Sequence, residues 1–421
     1  MKLKLNCRTH EGEKAVWTYD NETNELWDAA GNLVDLSKDD RVRIFLKMGP
    51  SGRGTKPASF KQEKMNDLRI QLGLKCNMHC KYCAQSLDRE SESVVSSVKD
   101  VGPFIEMLKK GGIDCNDGSI EFWGGEPLVY WKTLLVLIPK LRELYPKASF
   151  GMVTNGTLLT EEKITFFEKY RVGLTFSHDA QGYRLRGKDP LDDPKMVDLW
   201  RLAFSKLGGG INCVLTPANT DVDAIADFFR ERLGNIHLNF EGIMTHNGLS
   251  DGELMFSDAK LLELQKNIFK ALTREGWDKF PALTGGCVRV LKALARRTRI
   301  DPLSAKCSMC NPDQAAVNLK GDLLSCHDHS EPKYYIGRIE FPRKADLSRH
   351  FKLWSARPEC RKCLVLGQCR GSCPQAEGIA RSLTCKNEFA YHYAIFAAVI
   401  WLLFGLTIES VGVTEGEQMR V

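Results

Sequence analysis

Three closely spaced cysteines give the clearest chemical signal in this chain of 421 residues. Cys76, Cys80 and Cys83 are separated by three and then two residues. Three thiolates on one short loop can bind three irons of a [4Fe–4S] cluster, which leaves the fourth iron without a protein ligand. Such an open metal position is typical of a site that binds a further molecule. Structural zinc requires four closed ligands, and His79 inside the loop is more simply a spacer than the fourth ligand.

A second motif could contact the molecule that binds at the open iron. Gly124-Gly125-Glu126-Pro127 follows a predicted strand, one strand downstream of the cysteines. Two glycines allow the backbone to approach a ligand closely, and a carboxylate suits an ammonium group. In isolation this motif is a plausible turn. Its position one strand after the cysteines is what indicates a binding role.

The cysteine spacing, with the aromatic Tyr82 before the third cysteine, resembles that of the radical S-adenosylmethionine (SAM) superfamily. The resemblance implies that the amino and carboxylate groups of SAM chelate the open iron. It also implies that an electron from the cluster cleaves SAM to methionine and a 5′-deoxyadenosyl radical, which then abstracts a hydrogen atom from the substrate.

The same resemblance assigns SAM contacts to residues near the ends of the first four predicted strands of the α/β region. Ser177 would touch SAM, and an arginine after it would hold the SAM carboxylate, because a guanidinium is a natural carboxylate fork. Arg184 is favoured over Arg186, and a surface ion pair with Asp189 is the competing explanation for either. The predicted SAM-binding residues are Tyr82, Gly124, Gly125, Glu126, Pro127, Asn155, Ser177 and Arg184.

Eight further cysteines lie between residues 307 and 385. The N-terminus lacks the apolar core of a signal peptide, so these cysteines predict metal binding more than disulfides. Their spacing resembles the SPASM domain of peptide-modifying radical SAM enzymes, and implies two auxiliary [4Fe–4S] clusters. By resemblance the first is held by Cys307, Cys310, Cys326 and Cys373. The second is held by Cys360, Cys363, Cys369 and Cys385.

Fully ligated clusters cannot bind SAM, so electron transfer is the role predicted for the auxiliary pair. The remaining four cysteines, Cys7, Cys115, Cys213 and Cys287, are predicted core thiols. Cys287 is the reserve ligand if Cys307 is not used.

His327 and Asp328 are the predicted catalytic residues, because they follow Cys326 directly. Related anaerobic sulfatase maturases, which make formylglycine, have an aspartate as catalytic base directly after this cysteine. Here a histidine occupies that place and the aspartate comes one residue late. The departure favours the peptide-modifying branch, although histidine can also act as a base near neutral pH.

The predicted function is therefore oxidative modification of a peptide or protein side chain by a three-cluster, SAM-dependent enzyme, such as a maturase in ribosomal-peptide (RiPP) biosynthesis that forms crosslinks. Sulfatase maturation is the alternative, and a non-enzymatic iron–sulfur electron-transfer protein is a distant one. The expected partners are a peptide or protein substrate, with or without a leader sequence, and a reductase, flavodoxin or ferredoxin as electron donor. Nucleic acid and membrane are not expected as partners.

Alternating strand and helix patterns predict an α/β fold with a partial (β/α)6 barrel. The predicted division is a β-rich extension over 1–64, the barrel over 65–280, a linker helix over 281–300, the SPASM domain over 301–388 and an apolar helix with its tail over 389–421. Arg41–Lys47 is a predicted strand of the extension.

The composition is that of a globular chain, with 43% hydrophobic and 27% charged residues. The net charge of +6 is small for this length and does not indicate nucleic-acid binding. Ala394–Ile408 is almost wholly apolar, but its 15 residues fall short of the ~20 that a membrane span needs. We therefore expect a buried helix there and a cytoplasmic protein.

Overall fold

The computed structural model describes residues 1–47, 65–85, 95–243, 252–274, 281–345, 351–413 and 418–419. The strands are β1 (Lys2–Arg8), β2 (Lys14–Asp20), β3 (Glu25–Trp27), β4 (Asp67–Gln71), β5 (Ser119–Trp123), β6 (Ser149–Thr154), β7 (Val172–Ser177), β8 (Gly209–Leu215), β9 (His237–Gly242), β10 (Gln314–Asn318), β11 (Asp322–Leu324), β12 (Tyr335–Arg338), β13 (Thr407–Val413) and β14 (Gln418–Met419). The α-helices are α1 (Asp40–Lys47), α2 (Val98–Lys110), α3 (Trp131–Leu144), α4 (Glu161–Tyr170), α5 (Pro194–Leu207), α6 (Val222–Leu233), α7 (Asp258–Arg274), α8 (Pro281–Arg296), α9 (Pro358–Arg361), α10 (Leu366–Cys369) and α11 (Gly378–Phe404).

A sheet of nine strands forms the centre of the fold, in the order β12-β11-β10-β4-β5-β6-β7-β8-β9. The strands β4 to β9 are parallel and adjacent, and a helix follows each of them. Parallel strands present their carboxyl ends at one edge of a sheet, where ligands bind in such folds. The predicted α/β class is confirmed, whereas closure into a partial (β/α)6 barrel stays a prediction.

The cysteine-rich segment, residues 307–385, extends this central sheet. β10 pairs in parallel with β4, so that Ala315 lies opposite Leu68, and β11 and β12 continue the sheet antiparallel. The sequence of this segment is loop-rich and does not continue the strand–helix alternation, so it did not predict this pairing. The pairing forms because β10 has the buried apolar residues Ala315, Ala316 and Val317, which belong in a sheet.

The N-terminal strands form a separate antiparallel sheet in the order β14-β13-β1-β2-β3. β13 comes from the C-terminal end of the chain and places Val411 opposite Leu5. The predicted strand Arg41–Lys47 is wrong, because this segment lies in α1. The Asp39 side chain accepts a hydrogen bond from the Arg41 backbone N–H at 2.9 Å and so stabilises the start of that helix.

The apolar C-terminal segment is part of a helix of 27 residues, α11. The predicted bounds Ala394–Ile408 are wrong, because α11 begins at Gly378 and ends before Gly405, which adopts a left-handed conformation (φ 66°). The predicted domain boundary after residue 388 falls inside this helix, and the other boundaries stay predictions. Among the described residues α11 alone is long and apolar enough to cross a membrane, but 67% of its most apolar stretch is buried in the fold.

Candidate active site

The three closely spaced cysteines line a cavity of about 240 Å³ at the carboxyl end of the parallel sheet. Their loop follows β4 and is fixed at two points. The Lys75 backbone N–H donates to the Tyr130 hydroxyl at 3.0 Å, and the Lys81 backbone N–H donates to the Leu185 carbonyl at 2.9 Å. His79 is exposed. The predicted SAM-binding residues that line this cavity are Tyr82, Gly124, Gly125, Glu126, Asn155 and Ser177.

The two glycines of the second motif lie against the start of the cysteine loop. A Cβ atom at Gly125 would lie 2.3 Å from the Leu74 carbonyl oxygen and 2.4 Å from that of Lys75. A Cβ at Gly124 would lie 2.4 Å from the Gly73 carbonyl oxygen, and this residue has a φ of +154°. The Gly125 backbone N–H also donates to the Gly73 carbonyl at 2.9 Å. The two glycines therefore allow the backbone after β5 to pack closely against the backbone after β4. The sequence suggested only that they allow close approach of a ligand.

Glu126 connects the ends of β5 and β6. Its buried carboxylate accepts hydrogen bonds from the Thr154 hydroxyl at 2.7 Å, from the Asn155 backbone N–H at 2.7 Å and from the Leu128 backbone N–H at 2.9 Å. Burial raises the pKa of Glu126, and these hydrogen bonds oppose that shift. Pro127 does not line the cavity: it begins the short 3-10 turn Pro127–Tyr130.

Arg186, and not Arg184, lines the cavity. The Arg184 side chain is 60% exposed and forms an ion pair with Glu253. The Arg186 side chain is 8% exposed, and its Nη1 donates to the Tyr82 hydroxyl at 2.8 Å. The structure corrects our preference for Arg184, because the 3-10 turn Ala180–Leu185 directs residues 184 and 186 to different sides.

A buried cluster around Arg186 holds it in place. The Tyr82 hydroxyl donates a short hydrogen bond to Asp179, and Arg186 Nη1 lies 3.7 Å from the same carboxylate. Arg186 Nε has no hydrogen-bond partner among the described residues. Asp189, the competing partner for the arginine, instead accepts from His178 Nε2 at 2.8 Å.

A second cavity of about 740 Å³ adjoins the first. It lies between the parallel sheet, the cysteine-rich segment and α8 and α11. The two cavities share Trp123, Val153, Glu241, Gly242 and Asp328, so the five residues form their junction.

The two predicted catalytic residues occupy different positions relative to this junction. Asp328 lines both cavities, and its Oδ1 accepts hydrogen bonds from Gln85 Nε2 at 3.0 Å and from Trp123 Nε1 at 3.1 Å. His327 lines only the larger cavity, and its ring meets that of Trp123 edge-on at 4.6 Å.

The electrostatic surroundings of the pair favour neutral His327 beside ionised Asp328. Burial lowers the pKa of His327 to about 4, and the positive charge of Arg69 adds to that shift against the opposing charge of Asp328. Burial opposes ionisation of Asp328, but His327 and the two hydrogen bonds outweigh it and lower the pKa of that carboxyl.

The C-terminal cysteines form two groups. Burial is the main cause that raises the pKa of these thiols, and neighbouring thiolates raise it further. The nearby Cys307 raises the pKa of both Cys326 and Cys373. The Cys310 backbone N–H donates to the Cys307 carbonyl at 3.1 Å. In the other group the interacting thiols are Cys360, Cys363, Cys369 and Cys385. The division of these cysteines into two ligand sets of four stays a prediction.

The remaining cysteines lie in the hydrophobic core, as predicted, and Cys287 is fully buried. In the described part of the chain, no three His, Cys, Asp or Glu side chains converge on a position for a single metal ion. A four-iron cluster takes its ligands on separate irons and does not need such convergence.

Sequence reasoning missed three residues of the cavities. Trp123 is the last residue of β5 and directly precedes the glycine motif. This position could have identified it as a residue of the site. Gln85 and Glu241 belong to no motif, and only the fold brings them to the cavities.

Comparison with known proteins adds the following. The family model described as the Radical SAM superfamily matches residues 70–186. The chain is 30% identical over 336 residues to the radical SAM cyclopropyl synthase TigE of Paramaledivibacter caminithermalis. The aligned region covers 74% of this chain and 68% of the relative. It is 24% identical over 297 residues to a GTP 3′,8-cyclase of Moorella thermoacetica, covering 66% and 84% of the two chains.

Solved structures share the fold at low sequence identity. The structure of anSMEcpe with bound AdoMet has a TM-score of 0.60 and 19% identity, and the match covers 80% of this chain and 98% of the other. The same protein with AdoMet and the Cp18Cys peptide gives a TM-score of 0.58 over 80% and 97% of the two chains.

Proposed function

This chain belongs to the radical SAM superfamily, and we propose that it is an enzyme with two SPASM-type auxiliary clusters that oxidatively modifies a side chain of a peptide or protein, as ribosomal-peptide maturases do. Family membership implies SAM and one [4Fe–4S] cluster. The auxiliary clusters, the peptide substrate and the oxidative chemistry are parts of the proposal.

The residues of the smaller cavity fit a cluster and SAM. Cys76, Cys80 and Cys83 would hold three irons. The buried Arg186 offers the unpartnered Nε, a donor suited to the SAM carboxylate. When bound, these groups supply a 5′-deoxyadenosyl radical that removes a hydrogen atom from the substrate.

The chain's own residues position that chemistry. Glu126 holds the ends of β5 and β6 together through the Thr154 hydroxyl and the Asn155 backbone N–H. Tyr82 and Asp179 orient Arg186. Because these side chains are already bonded in the protein, the site is ordered before a ligand enters, which lowers the entropy cost of binding.

The observation that carries the substrate assignment is the junction of the two cavities. A space of about 740 Å³ opens onto the SAM site and lies beside Cys307, Cys326 and Cys373 of the first auxiliary set. Ligand cavities of several hundred Å³ accept a small molecule or a short peptide segment. The relative TigE is named a cyclopropyl synthase, and anSMEcpe was solved with a peptide. The peptide bound to anSMEcpe supports a peptide substrate for this chain.

Asp328 is the proposed proton acceptor. Oxidation of a side chain removes a proton as well as a hydrogen atom, and the acceptor must come within hydrogen-bond reach. Asp328 is the predicted catalytic residue that lines both cavities; Gln85 and Trp123 donate to its Oδ1, and its Oδ2 lies 3.4 Å from His327 Nε2. His327 then positions the loop, since its backbone carbonyl accepts from Gln71 Nε2 at 2.7 Å.

The proposal is tested by incubating the reduced, iron-reconstituted enzyme with SAM and pools of synthetic peptides. We expect 5′-deoxyadenosine without peptide, and more of it with some pools, together with a peptide that has lost hydrogen. No 5′-deoxyadenosine in any reaction would contradict the enzyme class. Its formation without modified peptide in any pool, or with a nucleotide such as GTP as the sole stimulant, would contradict the peptide substrate.

Sulfatase maturation remains the second candidate, and the position of Asp328 favours it. Although one residue late in sequence, this carboxylate occupies the junction between the cavities. The same experiment with a cysteine-containing sulfatase peptide distinguishes the two, because formylglycine formation removes the sulfur of the cysteine and crosslinking does not.

A further inference from the structure

The larger cavity contains one cationic side chain that is not neutralised. Arg69 Nε lies 2.8 Å from Glu121 Oε2, and Lys306 donates to both carboxylate oxygens of Glu388 at 2.6 and 2.7 Å. Arg289 of α8 also lines the cavity and is exposed to it, yet it forms no ion pair with any described residue. A guanidinium without an ion-pair partner that lines a cavity is a natural site for an anion of the ligand.

Two glycines in the middle of α8 lie next to this guanidinium. Glycine destabilises a helix interior, so each one requires a reason. Gly286 has a packing reason, because a Cβ there would lie 2.9 Å from Ile395 Cδ1. At Gly285 the one atom within 4 Å of an added Cβ is Arg289 Nη1, at 3.8 Å. Gly285 lines the cavity, and its missing side chain leaves open space beside Arg289.

The charges of the cavity disfavour a carboxylate elsewhere. Asp328 lies at the junction with the SAM site, where its ionised carboxylate would repel an anion. Arg289 lies outside the junction and is the cation that remains available.

We propose that Arg289 and the space beside Gly285 form a carboxylate-binding subsite for the substrate. The inference rests on the proposed function in one respect, that the occupant is a peptide. A guanidinium binds a carboxylate through two parallel hydrogen bonds, which fixes orientation as well as position. The carboxylate belongs either to an Asp or Glu side chain or to the C-terminus of the peptide, and its capture would orient the segment toward the SAM site.

The test uses the iron-reconstituted enzyme and three hexapeptide pools that differ only in charge. The first has a fixed central Asp and an amidated C-terminus, the second has Asn in its place, and the third has Asn with a free C-terminal carboxylate. The fraction of each pool retained by the enzyme is measured by affinity selection and mass spectrometry. We expect one of the carboxylate pools to be retained at least roughly tenfold more than the neutral pool, and which pool it is identifies the source of the carboxylate.

Variants connect that preference to the subsite. Arg289→Gln should abolish it. Gly285→Ala should weaken it, because the added methyl group occupies part of the space beside the guanidinium, and alanine favours the helix, so its effect cannot come from unfolding of α8. Arg299→Gln removes the same charge from an exposed position that lines neither cavity, and should keep the preference. Equal retention of all pools by the unmodified enzyme, or an unchanged preference in Arg289→Gln, would overturn the proposal. SAM cleavage by the same preparation is scored separately, so failure of the subsite is distinguishable from failure of the enzyme class.

Discussion

At the scale of single residues, two side chains two positions apart have different environments. Arg184 lies at the surface with Glu253, whereas Arg186 is buried against Tyr82 and Asp179. The sequence contained both arginines but not the turn that separates them. A preference between the two therefore required the path of the backbone through residues 180–186.

Substitution of these arginines separates a SAM-binding role from a surface role. Arg186→Gln should weaken SAM binding at least tenfold, because a charge-assisted pair worth about 1.5–3 kcal/mol is lost. Arg184→Gln should bind SAM as the unmodified enzyme does, since it removes only an exposed ion pair. Equilibrium dialysis with SAM measures both, and the reverse order of effects would restore Arg184 as the carboxylate ligand.

Asp328 and His327 are likewise distinguished by substitution. Asp328→Asn keeps the shape and should retain SAM cleavage while product falls about 10²–10⁴-fold, the usual contribution of a general base. His327→Gln should retain most of the product, because its backbone carbonyl still bonds to Gln71. 5′-Deoxyadenosine and modified peptide are quantified in parallel. Full product yield from Asp328→Asn would exclude this carboxylate as the base.

At the scale of elements, the glycine motif joins the end of β5 to the cysteine loop that follows β4. The backbone N–H groups of Gly125 and Glu126 both donate to that loop at 2.9 Å. The position of the cysteines therefore depends on a close backbone approach that no side chain other than hydrogen can occupy.

A methyl group at Gly125 should disturb this contact. Gly125→Ala is expected to lower the free energy of unfolding by about 1–3 kcal/mol, as overpacking does, and to reduce iron in the first cluster. Gly151→Ala in β6 is the control, because nothing lies within 4 Å of its added Cβ. Thermal unfolding and iron content report the two effects. Equal stability of the two variants would show that the loop accommodates the methyl group freely.

The local elements could be predicted from sequence, but their distant partners could not. The sequence patterns of Ser119–Trp123, Val172–Ser177 and Val222–Leu233 predict β5, β7 and α6 with the bounds that the structure has, because alternation and helical periodicity are local properties. The pairing of β10 with β4 and of β13 with β1 joins segments hundreds of residues apart, and no local pattern encodes it. In the same way, the cysteine motifs identify the candidate ligands, whereas Glu241, Gln85 and Arg289 acquire their places only through the fold.

At the scale of the whole molecule, the cysteine-rich segment and the parallel sheet form one continuous structure around the larger cavity. β10 continues the sheet, and α11 begins within the cysteine-rich segment, with Cys385 near its start, and packs against α7 and α8. Loss of an auxiliary ligand should therefore affect iron content and the substrate cavity together.

Cys385→Ala tests this connection. We expect iron to fall from about 12 to about 8 per chain, with loss of peptide product, because metal binding contributes to folding of such segments. Cys287→Ala is the matched control: this thiol lies fully buried in the core, and its loss should leave iron unchanged. Iron analysis and product yield are compared. Full iron in the Cys385 variant would remove Cys385 from the second ligand set, and iron loss in the Cys287 variant would make Cys287 a ligand in place of Cys307.

The central claim is that the loop after β4 holds the cluster that cleaves SAM, and the most direct measurement is iron content and 5′-deoxyadenosine formation in the variant Cys76→Ala, Cys80→Ala, Cys83→Ala. Three clusters require about 12 irons per chain, so this variant should contain about 8. It should form no 5′-deoxyadenosine when reduced in the presence of SAM. Cys115→Ala, which alters a buried thiol outside every proposed ligand set, should keep both iron and cleavage. Unchanged iron in the triple variant, or surviving SAM cleavage, would contradict the account.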